Sequence, residues 1–144
     1  MDNKDTICLL KECDAGSKMG VSSIDDILEK VKDSKMKELL QESKNHHTKL
    51  GEEIHSMLNE YHADEKEPSL IAKGMSHMKT SMKLTMDASD ATIAALITDG
   101  CDMGIKSLTQ YINEYENADK KAKDLCDKLI SIEEKLRKDM KAYL

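Results

Sequence analysis

The chain has 144 residues, a formal net charge of −6, 35% charged residues, one proline, and neither Phe nor Trp. That length suits one domain with a single core. Lysine and glutamate interspersed on an acidic chain exclude a general nucleic-acid binder, which needs a basic face. No apolar run approaches the roughly 18 residues of a membrane span, so no membrane partner is expected.

The start, MDNKDTICLLKE, is charged almost at once, and no secretory signal is expected from it. Cys8, Cys13, Cys101 and Cys126 lack CxxC spacing. Reduced thiols in a cytoplasmic setting are therefore the expectation.

In chain order, apolar residues from Ile7 recur at Leu10, Val21, Ile24, Leu28 and Val31, the spacing of a buried helical stripe. Asp14 and Ser17 fill the missing beats. The stretch ECDAGSKMG, Glu12 to Gly20, puts two glycines in the middle of this helix, each costing roughly 0.8–1 kcal/mol against alanine. KDSK ends the helix, with Asp33 or Ser34 as the next N-cap. The second helix keeps time at Met36, Leu40, Ser43, His47, Leu50, Ile54, Met57 and Tyr61, with polar Ser43 and His47 on central beats.

Pro68 suits the first turn of a crossover helix, residues 68–86, carrying Ile71, Met75, Met78, Met82 and Met86 on one side. Asp87, Ser89 or Asp90 caps the helix that follows. That helix runs through Ile97, Cys101, Ile105, Leu108, Ile112 and Tyr115, and the last through Leu125, Leu129, Ile132, Leu136, Met140 and Tyr143. The expected architecture is all-α: a single domain over 1–144, with a hairpin over 4–63, the crossover, and a second hairpin over 89–143, forming an antiparallel four-helix bundle.

Laying the first hairpin on the second brings Cys13 onto Cys101, Asp14 onto Asp102, Gly16 onto Gly104 and Lys18 onto Lys106, which suggests an internal duplication. Asp14, His47, Cys101 or Asp102, and Glu133 all lie near their helix midpoints. Side chains at one level of a bundle converge on its axis, as in carboxylate–histidine metal sites. The glycine-bearing segments then mark a central layer where backbones come close or polar groups gather.

The stretches CLLKECDAGSKMG, VKDSKMKELLQESKNHHTKLGEEI, EPSLIAKGMSHMKTSM and ITDGCDMGIKSLTQYINEY, in a hairpin–crossover–hairpin order, resemble the ferritin-like superfamily, and within it a bacterial family of uncharacterised ferritin-like domains. The resemblance implies the ferritin-like bundle and, in its di-iron members, a Glu on each of two helices and a Glu-x-x-His on each of the other two. This chain departs from that pattern. The first helix offers Asp14, Ser17 and Lys18 but no inward Glu. Neither His46 nor His47 has a Glu three residues before it, and the last helix has Glu133 and Glu134 without a histidine. The one literal Glu-x-x-His, Glu52 to His55, points away from the core, because Glu52 lies about 200° around the helix from Leu50.

Two function classes follow. The favoured one is a non-enzymatic ferritin-like bundle protein acting through self-association or partner binding, with the di-iron site absent or degenerate and no cofactor. Homodimerisation through the methionine-rich crossover is a secondary expectation, since methionine suits adaptable interfaces. The alternative is a noncanonical metal-binding relative with iron/oxidoreductase or metal-storage activity. It would use Asp14, His47, Asp102 and Glu133 as ligands to iron or another divalent transition metal, with His46 and Cys101 the next candidates. Against it, His47 reads rather as a core histidine hydrogen-bonded to Asp14 or Glu133 across the bundle. The cysteines read as small buried hydrophobes, and His55, His62 and His77 as flanking residues. Whether Glu133 or Glu134 faces inward stays open at this level, because helix phase drifts over a long helix.

Overall fold

A computed structural model describes residues 3–61 and 89–144. Among them are four long helices and no strand: α1 (Lys4–Leu28), α2 (Ser34–Glu60), α3 (Asp90–Glu114) and α4 (Lys120–Met140), with a closing 3-10 turn at Lys141–Tyr143. The crossover helix, its Pro68, its methionine stripe, His62 and His77 lie outside the described residues, as does any dimer contact through them.

Short polar side chains set the helix starts. Asp33 accepts from the Met36 N–H at 2.8 Å and Ser89 from the Thr92 N–H at 3.1 Å, each satisfying a donor that the first turn leaves open. The two hairpins are also tied to each other at both ends. The Asp90 carboxylate accepts from the Lys32 and Asp33 amides, both at 2.8 Å, so α3 begins beside the α1–α2 turn. At the other end Asp5 accepts from the Asn117 amide at 3.1 Å and Thr6 from the Asp119 amide at 2.8 Å, beside the start of α1.

These ties fix the directions. α1 runs up, α2 down, α3 down again and α4 up. α1 packs chiefly on α2, α3 on α4, and α2 on α4, with α1 and α4 closer across the diagonal than α2 and α3. The core is one cluster drawn from all four helices, including Leu10, Ile24, Met36, Leu40, Ile54, Ile93, Leu108, Leu129 and Met140.

The stripe on α2 is as the spacing predicts, from Met36 to Met57. On α1 and the turn after it the beats at Leu10, Ser17, Ile24 and Val31 are as predicted, while those at Ile7, Val21 and Leu28 give way to the residue before each. The buried 3-4 stripe runs through Thr6, Leu10, Cys13, Ser17, Gly20, Ile24, Ile27 and Val31, while Ile7, Val21 and Leu28 are only partly covered. The middle of this stripe is built from small side chains, so its hydrophobic pattern is faint, and Val21 and Leu28 draw the eye to the neighbouring phase. The sequence expectation that α1 turns no glutamate inward is corrected too: Glu12 is 1% exposed.

Candidate functional site

The small stretch of α1 exists because α2 brings a histidine against it. A Cβ built on Gly20 would lie 2.5 Å from His47 Cδ2 and 2.8 Å from its Nε2, distances that atoms do not tolerate. Nor is the ring free to turn aside. His47 is fully buried, its Nδ1 lies 2.8 Å from the Ser43 carbonyl oxygen, and its Nε2 lies 2.6 Å from Glu133 Oε1 on α4. Gly20 is thus a slot for an imidazole clamped from two sides. A similar approach, less severe, places the Ser17 hydroxyl 3.0 Å from a Cβ at Gly51.

The hydrogen-bond geometry fixes where one proton sits. A carbonyl oxygen can only accept, so His47 Nδ1 carries hydrogen and donates to Ser43. One further proton bridges Nε2 and Glu133, and the pair has no net charge whichever partner holds it. Burial alone would push the imidazole towards its neutral form, but the hydrogen bond and charge of Glu133, helped by Ser43, outweigh it. The net effect holds the His47 pKa above its ordinary value.

Glu133 also faces α3, the other helix of its own hairpin. Burial first, then the charge of Glu133, push the Cys101 thiol on α3 far up, so it is protonated and unreactive. Gly104 faces Glu133 Oε2 with room for a Cβ at 3.5 Å. A cavity of about 10 Å³ adjoins Gly20, Ser23, His47, Cys101 and Glu133, room for about one water-sized sphere. Cys13 and Cys126 form a separate buried pair. Cys126 Sγ donates to the Leu108 carbonyl at 3.8 Å, the neighbouring Cys126 and burial hold the Cys13 thiol well above its ordinary pKa, and both cysteines are free.

Of the four residues predicted as ligands, the structure brings together two, His47 and Glu133. Glu133 faces the core while Glu134 is exposed. Asp102 points to solvent, where Arg137 Nη1 pairs with it at 2.7 Å, because it lies about 100° around the helix from buried Cys101. His46 is likewise exposed, one position off the buried face.

Asp14 is buried, 2% exposed, but faces the other way, at the floor of a groove between α1 and α2. Its Oδ2 is 3.0 Å from Lys18 Nζ, and its Oδ1 has His55 Nδ1 at 4.0 Å. Among the described residues no group of three or more His, Cys, Asp or Glu side chains is arranged to hold a metal ion, and no helix is long and apolar enough to cross a membrane.

Gly20, Ser43 and Glu12 carry no chemical motif and were missed as site residues. The signal for Gly20 was the cost of a glycine inside a helix, and for Ser43 its place one turn before His47 on the buried stripe. Comparison of the chain with protein-family models, with curated proteins and with solved structures finds no match.

Proposed function

We propose that this chain is a non-enzymatic ferritin-like bundle protein that acts through self-association or partner binding, with the di-iron site of that superfamily degenerate. The observation that carries the reading is the closed His47–Glu133 pair. The imidazole nitrogen and carboxylate oxygen that a metal would need are 2.6 Å apart and spent on each other. Among the described residues His47 is the single histidine of the polar layer, and the carboxylate expected on α3, Asp102, is engaged with Arg137 at the surface. A di-iron centre draws on four carboxylates and two histidines projecting inward, and these residues do not fit one. The up-down-down-up order of the helices, with a long return between α2 and α3, supports the ferritin-like part of the reading.

The test is elemental analysis of untagged protein, before and after anaerobic iron loading, with sedimentation velocity on the same samples. Less than a tenth of an equivalent of iron, manganese or zinc, together with a mass above that of one chain or a co-purifying partner, is the expected result. An equivalent of metal that is lost in His47→Ala would overturn the reading in favour of a metal-binding relative.

A further inference from the structure

A depression of about 770 Å³ runs between α1 and α2 on the outer face of the first hairpin. Asp14, Asp25, Asp26 and Glu52 line it, against the lysine Lys18, so the groove is acidic. Asp14, at its floor, is 2% exposed. Its Oδ2 is paired with Lys18 at 3.0 Å. Among the described residues nothing donates a hydrogen bond to its buried Oδ1, and His55 Nδ1 on that side is 4.0 Å away. A buried carboxylate oxygen in this state carries an uncompensated desolvation cost until a donor reaches it. Lys18 and His55 are themselves half-exposed, so an incoming donor can displace them.

The spacing of the acids says what kind of donor fits. Asp25 follows Asp14 by eleven residues, three turns that return to within about 20° of the same face and rise about 16 Å. Asp25 already accepts from Lys44 at 2.5 Å, so this end takes an ammonium group, and a carboxylate has lone pairs for further donors. Val21 lies between the two acids on the same stripe, and Gly51 leaves the facing wall of α2 without a side chain. Charges set apart with an uncharged length between them do not suit one metal ion, and among the described residues no three donors are arranged to hold one. They suit a flexible ligand whose ammonium groups are separated by methylenes.

We infer that the α1–α2 groove binds a linear polyamine, with one terminal ammonium donating to Asp14 Oδ1, the methylenes lying along Val21, and the far end reaching Asp25 and Asp26. An extended tetraamine of the spermine type has the reach that separates Asp14 from Asp25. The charge-assisted bond to a buried oxygen distinguishes this seat from the general attraction of an acidic surface. This inference is independent of the function proposed above.

Spermine is the probe, titrated into the full chain at physiological ionic strength and followed by calorimetry and NMR. One equivalent is expected to bind, with intermolecular contacts from its methylene protons to the Val21 methyls. Asp14→Asn removes the charge that holds the end ammonium while keeping the side-chain shape, and is expected to weaken binding about ten- to a hundredfold. Asp102→Asn, at an acidic surface position on α3 outside the groove, is expected to leave it unchanged. Putrescine, too short to join Asp14 to Asp25, is expected to bind several-fold more weakly, and equal affinity for the two amines would overturn the polyamine assignment. No binding at millimolar spermine would overturn the inference. So would binding of several equivalents that magnesium chloride competes away equally from the wild type and Asp14→Asn, the mark of a diffuse counterion cloud. Should Asp14→Asn fail to fold, as judged by circular dichroism, the wild-type contacts decide, and spermine contacts that miss Val21 would overturn the inference.

Discussion

Gly20 on α1 and Gly104 on α3 face the two halves of one buried pair. Gly20 meets the His47 ring at a distance no Cβ could share, while Gly104 meets the Glu133 carboxylate with space for a methyl group. The first hairpin has shaped its backbone around the imidazole, whereas the second merely leaves room for the carboxylate. A helical glycine is therefore informative only when its neighbour cannot move, and His47 cannot, being held by Ser43 on one side and Glu133 on the other.

The sharpest way to break this contrast is to remove the imidazole itself. His47→Ala strands the Glu133 carboxylate in the core and opens a cavity. Losing one partner of a buried pair costs about 3–5 kcal/mol, so chemical denaturation is expected to show a loss of that order. A loss under about 1 kcal/mol would mean that solvent already reaches the pair. Gly20→Ala comes next: overpacking costs about 1–3 kcal/mol, only partly offset by the roughly 0.8–1 kcal/mol that alanine gains in a helix. The imidazole NMR resonances are expected to shift as the ring is driven off Glu133.

A third prediction concerns pH. The folded chain holds the His47 proton more tightly than the unfolded chain does. The resulting stabilisation is fully present below the ordinary histidine pKa of about 6.5 and declines as pH rises towards the folded value. Denaturation midpoints between pH 6 and 9 should therefore fall more steeply for the wild type than for His47→Gln/Glu133→Gln, which has no titrating pair. Parallel curves would contradict the upward shift. The smallest effect has the opposite sign. Gly104→Ala is expected to stabilise by about 0.5–1 kcal/mol, because helix propensity is gained without a clash, seen as a higher midpoint at unchanged slope.

The two hairpins also differ in how much of them could be read in advance. α2 was legible residue by residue, because Met36, Leu40, Leu50, Ile54 and Met57 flank Ser43 and His47 and fix their phase. α1 was legible as a helix but not in phase, since Cys13, Ser17 and Gly20 lie on its buried stripe and carry little hydrophobic signal. On α4 the spacing favoured Ile132, yet Glu133 is buried and Ile132 only half so. A carboxylate reads as a surface residue until its partner is known, and the partner sits in another hairpin. Glu12 escaped notice for the same reason. Asp102 was misjudged for a simpler one: it is adjacent in sequence to a buried cysteine, and in a helix one residue is enough to reach the solvent.

The His47–Glu133 hydrogen bond joins residues 86 apart in sequence, whereas most packing lies within each hairpin, between helices that follow one another directly. Contacts made within hairpins close small loops and form early. The bond across them is available only when the hairpins dock, after most of the loop-closure entropy has been lost. It therefore forms only after the main folding barrier has been crossed, and is lost before that barrier on the way out. In stopped-flow experiments Glu133→Ala should leave the refolding rate nearly unchanged and put its destabilisation into faster unfolding. The buried pair thus acts as the latch that sets how long the assembled bundle stays shut.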